Sequence, residues 1–272
     1  MHIHNCPACG KQYSAQENVS QVKCPYCGAV NDMPSAVARQ SSRWFILNRP
    51  DDRETESKRK ILLRAVLWFI ALIIIGRILM IACVSVYMAN GINPMQLTEF
   101  GGMASHWAGT PILKAMLWLI VIAPIAEEVL FRLGLSFKRH TVALWLGLLP
   151  VVIGAYLFKC YQWTWLTALV LLGILLAALV VRFTTDEQWA RWRSRYIRPA
   201  MWVSAIGFGL LHLIAFTNYS WLLVPFMIAV IMSPLLLGCV ITYVRVNLGF
   251  WWGVLFHVVN NIPVVLVLLA MN

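Results

Sequence analysis

Hydrophobic and polar positions divide the chain into two unequal parts. Residues 1–60 mix short apolar stretches with polar and charged ones, whereas from residue 61 onward apolar runs follow one another almost without interruption. A helix needs ~20 residues to cross about 30 Å of hydrocarbon. On that measure the runs near 62–88, 112–137, 141–158, 164–181, 201–216, 221–243 and 248–270 are read as seven spans, the one at 201–216 being short. The pattern therefore predicts an all-α polytopic membrane protein of about seven transmembrane helices (61–272), a polar linker (34–60) and a small N-terminal unit (1–33).

Composition agrees: of 272 residues 60% are hydrophobic and 12% charged, which excludes an ordinary soluble globule. The formal net charge of +11 raises the question of where the cations lie. With seven crossings and a cytoplasmic N-terminus, Lys138, Arg139, Arg182, Arg191, Arg193, Arg195, Arg198 and Arg245 fall on the inner side, and the outer loops carry only Lys159, with Lys114 at the start of a span. That asymmetry follows the positive-inside rule and predicts a cell-membrane protein with its N-terminus in the cytoplasm. The segment "RFTTDEQWARWRSRYIR", between the fourth and fifth spans, is read as a loop holding an interfacial helix with Trp and Arg at the headgroups, in preference to a nucleic-acid site.

Seven cysteines fall into two groups, and only the first has a pattern. "CPACG" and "CPYCG" place Cys6, Cys9, Cys24 and Cys27 in two Cys-x-x-Cys knuckles with 14 residues between them. Each knuckle ends in glycine, which allows the tight turn that brings thiolates onto one ion, so a structural four-cysteine zinc ribbon is predicted. Two redox pairs are the competing reading, disfavoured because neither knuckle opens a helix. His2 and His4 are not needed as ligands, since four cysteines fill a tetrahedral site. Thiolate ligands imply a reducing compartment, in line with the topology. Residues 1–60 hold no apolar core of a signal peptide. The ribbon is read as a cap or a docking surface for a protein partner.

Polar groups within the spans narrow the chemistry. Of eleven carboxylates only Glu127 and Glu128, in "IAPIAEEVLFR", lie deep in an apolar run, where a charge costs about 2.5–3.5 kcal/mol on insertion scales. Glu128 and Arg132 are four apart and share a helix face, which suits an ion pair, and Glu127 points about 100° away. His212 and His257 are the histidines within spans, and Asn261 follows His257 by one turn. Counted from the inner ends of their helices, Glu127, His212 and His257 each lie roughly 15–18 Å deep, at one level. An acid, two imidazoles and an amide at matched depth suit hydrolysis. Arg77, in the first span, either snorkels outward or pairs with a carboxylate. Pro124, Pro234 and Pro263 are expected to kink their helices.

The ordered set Glu127-Glu128-x-x-x-Arg132, Phe208-x-x-x-His212 and His257-x-x-x-Asn261 resembles the three motifs of the CPBP (CAAX protease and bacteriocin-processing, or Abi) family of intramembrane endopeptidases, over about residues 110–270. The resemblance implies peptide-bond hydrolysis in a membrane-associated protein or peptide. By motif position, Glu127 would activate water, His212 would position it, His257 and Asn261 would stabilise the oxyanion, and Glu128 and Arg132 would hold the first motif in place. It implies no essential catalytic metal, although Glu127, His212 and His257 could between them offer ligands to zinc. Two other classes stay open: a non-catalytic membrane scaffold recruiting a partner through the ribbon, and a proton-coupled transporter.

Overall fold

A computed structural model describes residues 2–6, 8–15, 21–32, 46–48, 56–94, 111–157, 162–216 and 220–271. The chain divides into two compact units, Met1–Arg49 and Pro50–Asn272, so the division falls inside the predicted linker, most of which lies outside the described residues.

The first unit is built from two short antiparallel hairpins. β1 (His2–Asn5) pairs with β2 (Gln12–Ala15) in the register His2 to Ala15, and β3 (Gln21–Lys23) pairs with β4 (Val30–Asp32) in the register Gln21 to Asp32. Each hairpin turns through one Cys-x-x-Cys knuckle by the same bonds. The amide of Cys6 donates to the carbonyl of Lys11 and that of Gly10 to Cys6; in the second knuckle Cys24 donates to Ala29 and Gly28 to Cys24. Gly10 (φ +70°) and Gly28 (φ +74°) take the left-handed backbone that this turn requires, which a side chain would resist.

The second unit is helical. Its helices are α1 (Lys58–Ala89), α2 (Ile112–Met116), α3 (Ala123–Arg132), α4 (Arg139–Val152), α5 (Trp163–Phe183), α6 (Asp186–Leu211), α7 (Val224–Asn247) and α8 (Phe250–Met271). Four helical stretches are long and apolar enough to cross a membrane: Lys58–Ala89, Trp163–Phe183, Asp186–Ile214 and Trp221–Asn247. Arg139–Ala155 and Phe250–Leu266 are shorter apolar helices. The predicted span at 112–137 is a composite: α2, a π-helix over Leu117–Ile122, α3, and a 3-10 turn over Leu133–Ser136.

The predicted loop at 182–198 needs correction. From Asp186 it is helical and continuous with the short fifth span, forming the single 26-residue helix α6. A capping box starts that helix: the Gln188 amide donates to Thr185 Oγ1 at 3.3 Å, and the Thr185 amide donates to Gln188 Oε1 at 2.8 Å. That signal, Thr-x-x-Gln, was present in the sequence.

α7 runs through the middle of the bundle, with every residue from Leu237 to Asn247 buried, and packs against α1, α6 and α8. Small residues permit the closest crossings. A Cβ on Gly76 of α1 would lie 3.2 Å from Ser233 of α7, and one on Gly173 of α5 would lie 2.0 Å from the Gly147 carbonyl of α4. Lipid tails are as apolar as the helix faces and supply no hydrophobic drive, so membrane helices associate through such close packing.

Candidate active site and metal centre

α3 presents both acids to the bundle interior because adjacent residues on one helix can flank a single group arriving from another. That group is His257 of α8. Its Nδ1 lies 3.2 Å from Glu128 Oε1 and its Nε2 lies 3.4 Å from Glu127 Oε2. Glu128 is 0% exposed, His257 3% and Glu127 8%. A protonated ring donates to both acids, whereas a neutral ring donates to one and offers its other nitrogen as an acceptor. Glu127, about 100° round the helix from Glu128, thus faces the same imidazole from its other side.

Glu128 also meets Arg132 Nη1 in a buried ion pair, as the four-residue spacing predicts. Arg132 is itself fully buried. Its Nε donates to Thr242 Oγ1 at 3.1 Å, and Ser204 Oγ lies 3.4 Å from the same hydroxyl. Its guanidinium carbon stands 4.3 Å from the Phe208 ring centre, which stabilises a cation removed from water. Glycine makes this approach possible, because a Cβ on Gly238 would lie 3.1 Å from Phe208 and 3.3 Å from Arg132 Nη2.

Phe208 joins the three motifs. Its ring meets those of His212 and His257 edge-on, with centroids 5.2 and 5.3 Å away. His212 opens the 3-10 turn that follows α6, and its Nδ1 lies 2.9 Å from the Phe208 carbonyl. A carbonyl only accepts, so Nδ1 carries the proton, and in the neutral ring Nε2 is the acceptor.

Asn261 falls elsewhere than its expected role suggests. Its Nδ2 donates at 2.9 Å to the carbonyl of Leu119 in the π-helix. The preceding wide turn is closed by the Ala123 amide donating to Trp118, five residues back. The next such bond would run from residue 124 to Leu119, but residue 124 is proline and has no N–H. Asn261 supplies the missing donor. Pro124 and Asn261 are therefore one device, and one amide hydrogen of Asn261 is committed to it.

Three residues that hold the site were not singled out in the sequence. Thr242 receives Arg132 as described. Arg245, read as an inner-loop charge, is instead buried in α7; its Nε and Nη2 donate at 3.2 Å each to the carbonyls of Arg132 and Leu133, the end of α3. Gly253 lies against Glu128, where a Cβ would come within 3.1 Å of Oε2. An apolar cavity of about 390 Å³, lined by Phe131, Trp145, Trp189, Ser204 and Gly207 among others, adjoins the cluster, but none of the six candidate residues lines it.

The four N-terminal cysteines form the second site. Cys6 Sγ lies 3.6 Å from Cys27 Sγ, Cys9 Sγ lies 3.8 Å from Cys24 Sγ, and all four sulfurs fall within 4.8 Å of one another. Sulfurs held about 2.3 Å from a tetrahedral ion are about 3.8 Å apart, so the arrangement fits a metal ion. The Cys27 thiol is pushed up to about 12: a hydrogen bond with the Ala29 backbone lowers it, while desolvation and proton sharing with Cys6, Cys9 and Cys24 outweigh that. Ion binding must displace those protons. Among the described residues these cysteines are the one converging group of three or more metal-type ligands; Glu127, His212 and His257 form no such group. Cys160 lies outside the described residues.

The chain matches no protein-family profile, no curated protein and no solved structure.

Proposed function

We propose that the chain is an intramembrane endopeptidase of the CPBP type, cleaving a membrane-associated protein or peptide with water activated by Glu127. The observation that carries this reading is His257 held between two adjacent carboxylates, one of them tied to a buried arginine, inside an apolar helical bundle. Arg132 is paired by Glu128 and Arg245 is served by backbone carbonyls, which leaves Glu127 and the imidazole beside it for moving a proton.

In this reading Glu127 takes a proton from water as the oxygen attacks the scissile carbonyl carbon. His212, its Nδ1 occupied by the Phe208 carbonyl, offers Nε2 to orient that water. His257 Nε2 and the remaining amide hydrogen of Asn261 are the donors for the developing oxyanion. The C–N bond then breaks and the proton held by Glu127 passes to the leaving nitrogen. Glu128, Arg132, Thr242 and Arg245 keep α3 and His257 in register.

The same reading includes zinc in the cysteine site, seven crossings and a cytoplasmic N-terminus in the cell membrane, with the ribbon as a docking surface for a protein partner and no nucleic-acid partner. Zinc suits four thiolates at these separations. In support of that count, the composite 112–137 segment and the two shorter apolar helices are the candidates for crossings beyond the four long ones.

The test compares the N- and C-termini of membrane proteins, by mass spectrometry, in cells carrying the native chain or Glu127→Gln at equal abundance. Termini lost in the variant with accumulation of their uncut precursors support proteolysis. Unchanged termini with retained protein interactions sink it in favour of the scaffold, and Glu127-dependent solute uptake into proteoliposomes would establish the transporter.

A further inference from the structure

Among the described residues, Arg77 is an intramembrane cation that the cluster does not absorb. It lies on α1, thirteen residues after Arg64 and thirteen before Asn90. Arg64 is fixed by Glu56 at 2.6 Å and by the Tyr243 hydroxyl at 2.9 Å, and Asn90 caps the other end of the helix. Thirteen residues of helix measure about 20 Å, so Arg77 stands at mid-helix, about 15 Å from either headgroup layer of a bilayer centred there. That is farther than its side chain reaches.

α1 uses its other face for the bundle. Ala65, Leu72, Gly76 and Tyr87 are buried, Gly76 closely approaches Ser233, and Phe69 meets Phe256 edge-on at 5.2 Å. Arg77 is exposed and has no hydrogen-bond or ion-pair partner among the described residues. Around it Leu63, Leu67, Ile70, Ile74 and Ile81 are each more than half exposed. With Arg77 they recur at alternating spacings of four and three, the seam along which two helices wind together. A cation at that depth is expensive in hydrocarbon, and polar residues inside membranes pair with one another. A second copy of this chain does not serve, because a parallel symmetric seam would set Arg77 against Arg77.

We infer that the outer face of α1 docks a transmembrane helix of another protein that carries an aspartate or glutamate at the depth of Arg77. The apolar seam supplies packing and the acid supplies register, as a single polar seam position does in paired helices. This docking does not depend on the proteolytic reading, and Arg77 is outside the Glu127 cluster.

The full-length protein, labelled with a donor fluorophore and reconstituted in phosphatidylcholine vesicles, is titrated with acceptor-labelled oligo-leucine transmembrane peptides. One peptide has aspartate at its centre, a second has it two turns off centre, and a third has none. The expected result is association of the centred peptide roughly tenfold tighter than of the other two. That preference disappears in Arg77→Leu, falls in Ile70→Trp, and transfers to a lysine-centred peptide in Arg77→Asp. Thermal melting of each variant shows that the bundle is intact. Equal binding of all three peptides, or an unchanged preference in Arg77→Leu, overturns the proposal. So does rapid labelling of Arg77→Cys by a membrane-impermeant maleimide, which would place that position in the headgroup layer, where a lipid phosphate could serve the arginine.

Discussion

In the cysteine hairpins, four ligand atoms come from two turns that repeat one local geometry within 22 residues. The acid and histidine cluster instead draws Glu127 and Glu128 from α3, Phe208 and His212 from α6 and its end, Thr242 from α7 and His257 from α8. The hairpins have too little apolar area to fold on burial alone, so an ion bound by the four thiols would be their core. The cluster has the reverse relation to its surroundings: the bundle folds around it, and the Glu128 charge is tolerated there beside Arg132, which Thr242 and Phe208 help to hold. One site is made by its ligand, the other by its neighbours.

Removing the ion is the largest perturbation that this contrast allows. Binding energies of about 10–16 kcal/mol in small structural zinc sites are folding energies, so a chelator should unfold residues 2–32 and leave the helices intact. Hydrogen exchange of the full chain reads this directly, as lost protection in the hairpins alone. Acidification should release the ion as well, because the thiols must be deprotonated to bind. Hairpins that stay protected without metal would erase the contrast.

Arg132→Leu attacks the other site by leaving Glu128 buried with its charge uncompensated. A loss of about 3–5 kcal/mol is expected, read as a lower melting temperature in detergent, with partial recovery when Glu128→Gln is added. Gly253→Ala crowds Glu128, which Arg132 and His257 hold in place, and should cost about 1–3 kcal/mol while sparing the hairpins. The smallest effect belongs to Asn261→Leu, which orphans the Leu119 carbonyl at about 1–2 kcal/mol. The π-helix that Asn261 braces should show faster amide exchange over residues 117–123 before the rest of the bundle. A melting temperature unmoved by Arg132→Leu would show that the cluster is solvated after all.

What the sequence revealed follows the range of each interaction. Cys-x-x-Cys-Gly turns, apolar runs and the Glu128–Arg132 pair are local, so spacing alone exposes them. His257 between both acids was out of reach, because the depth argument puts groups at one level without fixing the rotation of α8 against α3. Arg245 was misread for a related reason: a cation near the end of an apolar run looks like a loop charge until another helix end arrives to receive it. Thr242 and Gly253 have no chemical signature of their own. The start of α6 is different, since Thr185 and Gln188 announced it and the density of arginines drew attention to the headgroups instead.

The wide turn at Leu117–Ile122 has a further implication for length. A π-turn is an α-helix carrying one residue too many, so α2 and α3 keep the facing they would have in an unbroken helix built from a chain shorter by one. Deleting a single residue there should therefore be accepted by both flanks. With the deletion placed between Leu119 and Pro124, the missing N–H would fall on the Leu119 carbonyl again, now four residues back, and the amide of Asn261 would keep its partner.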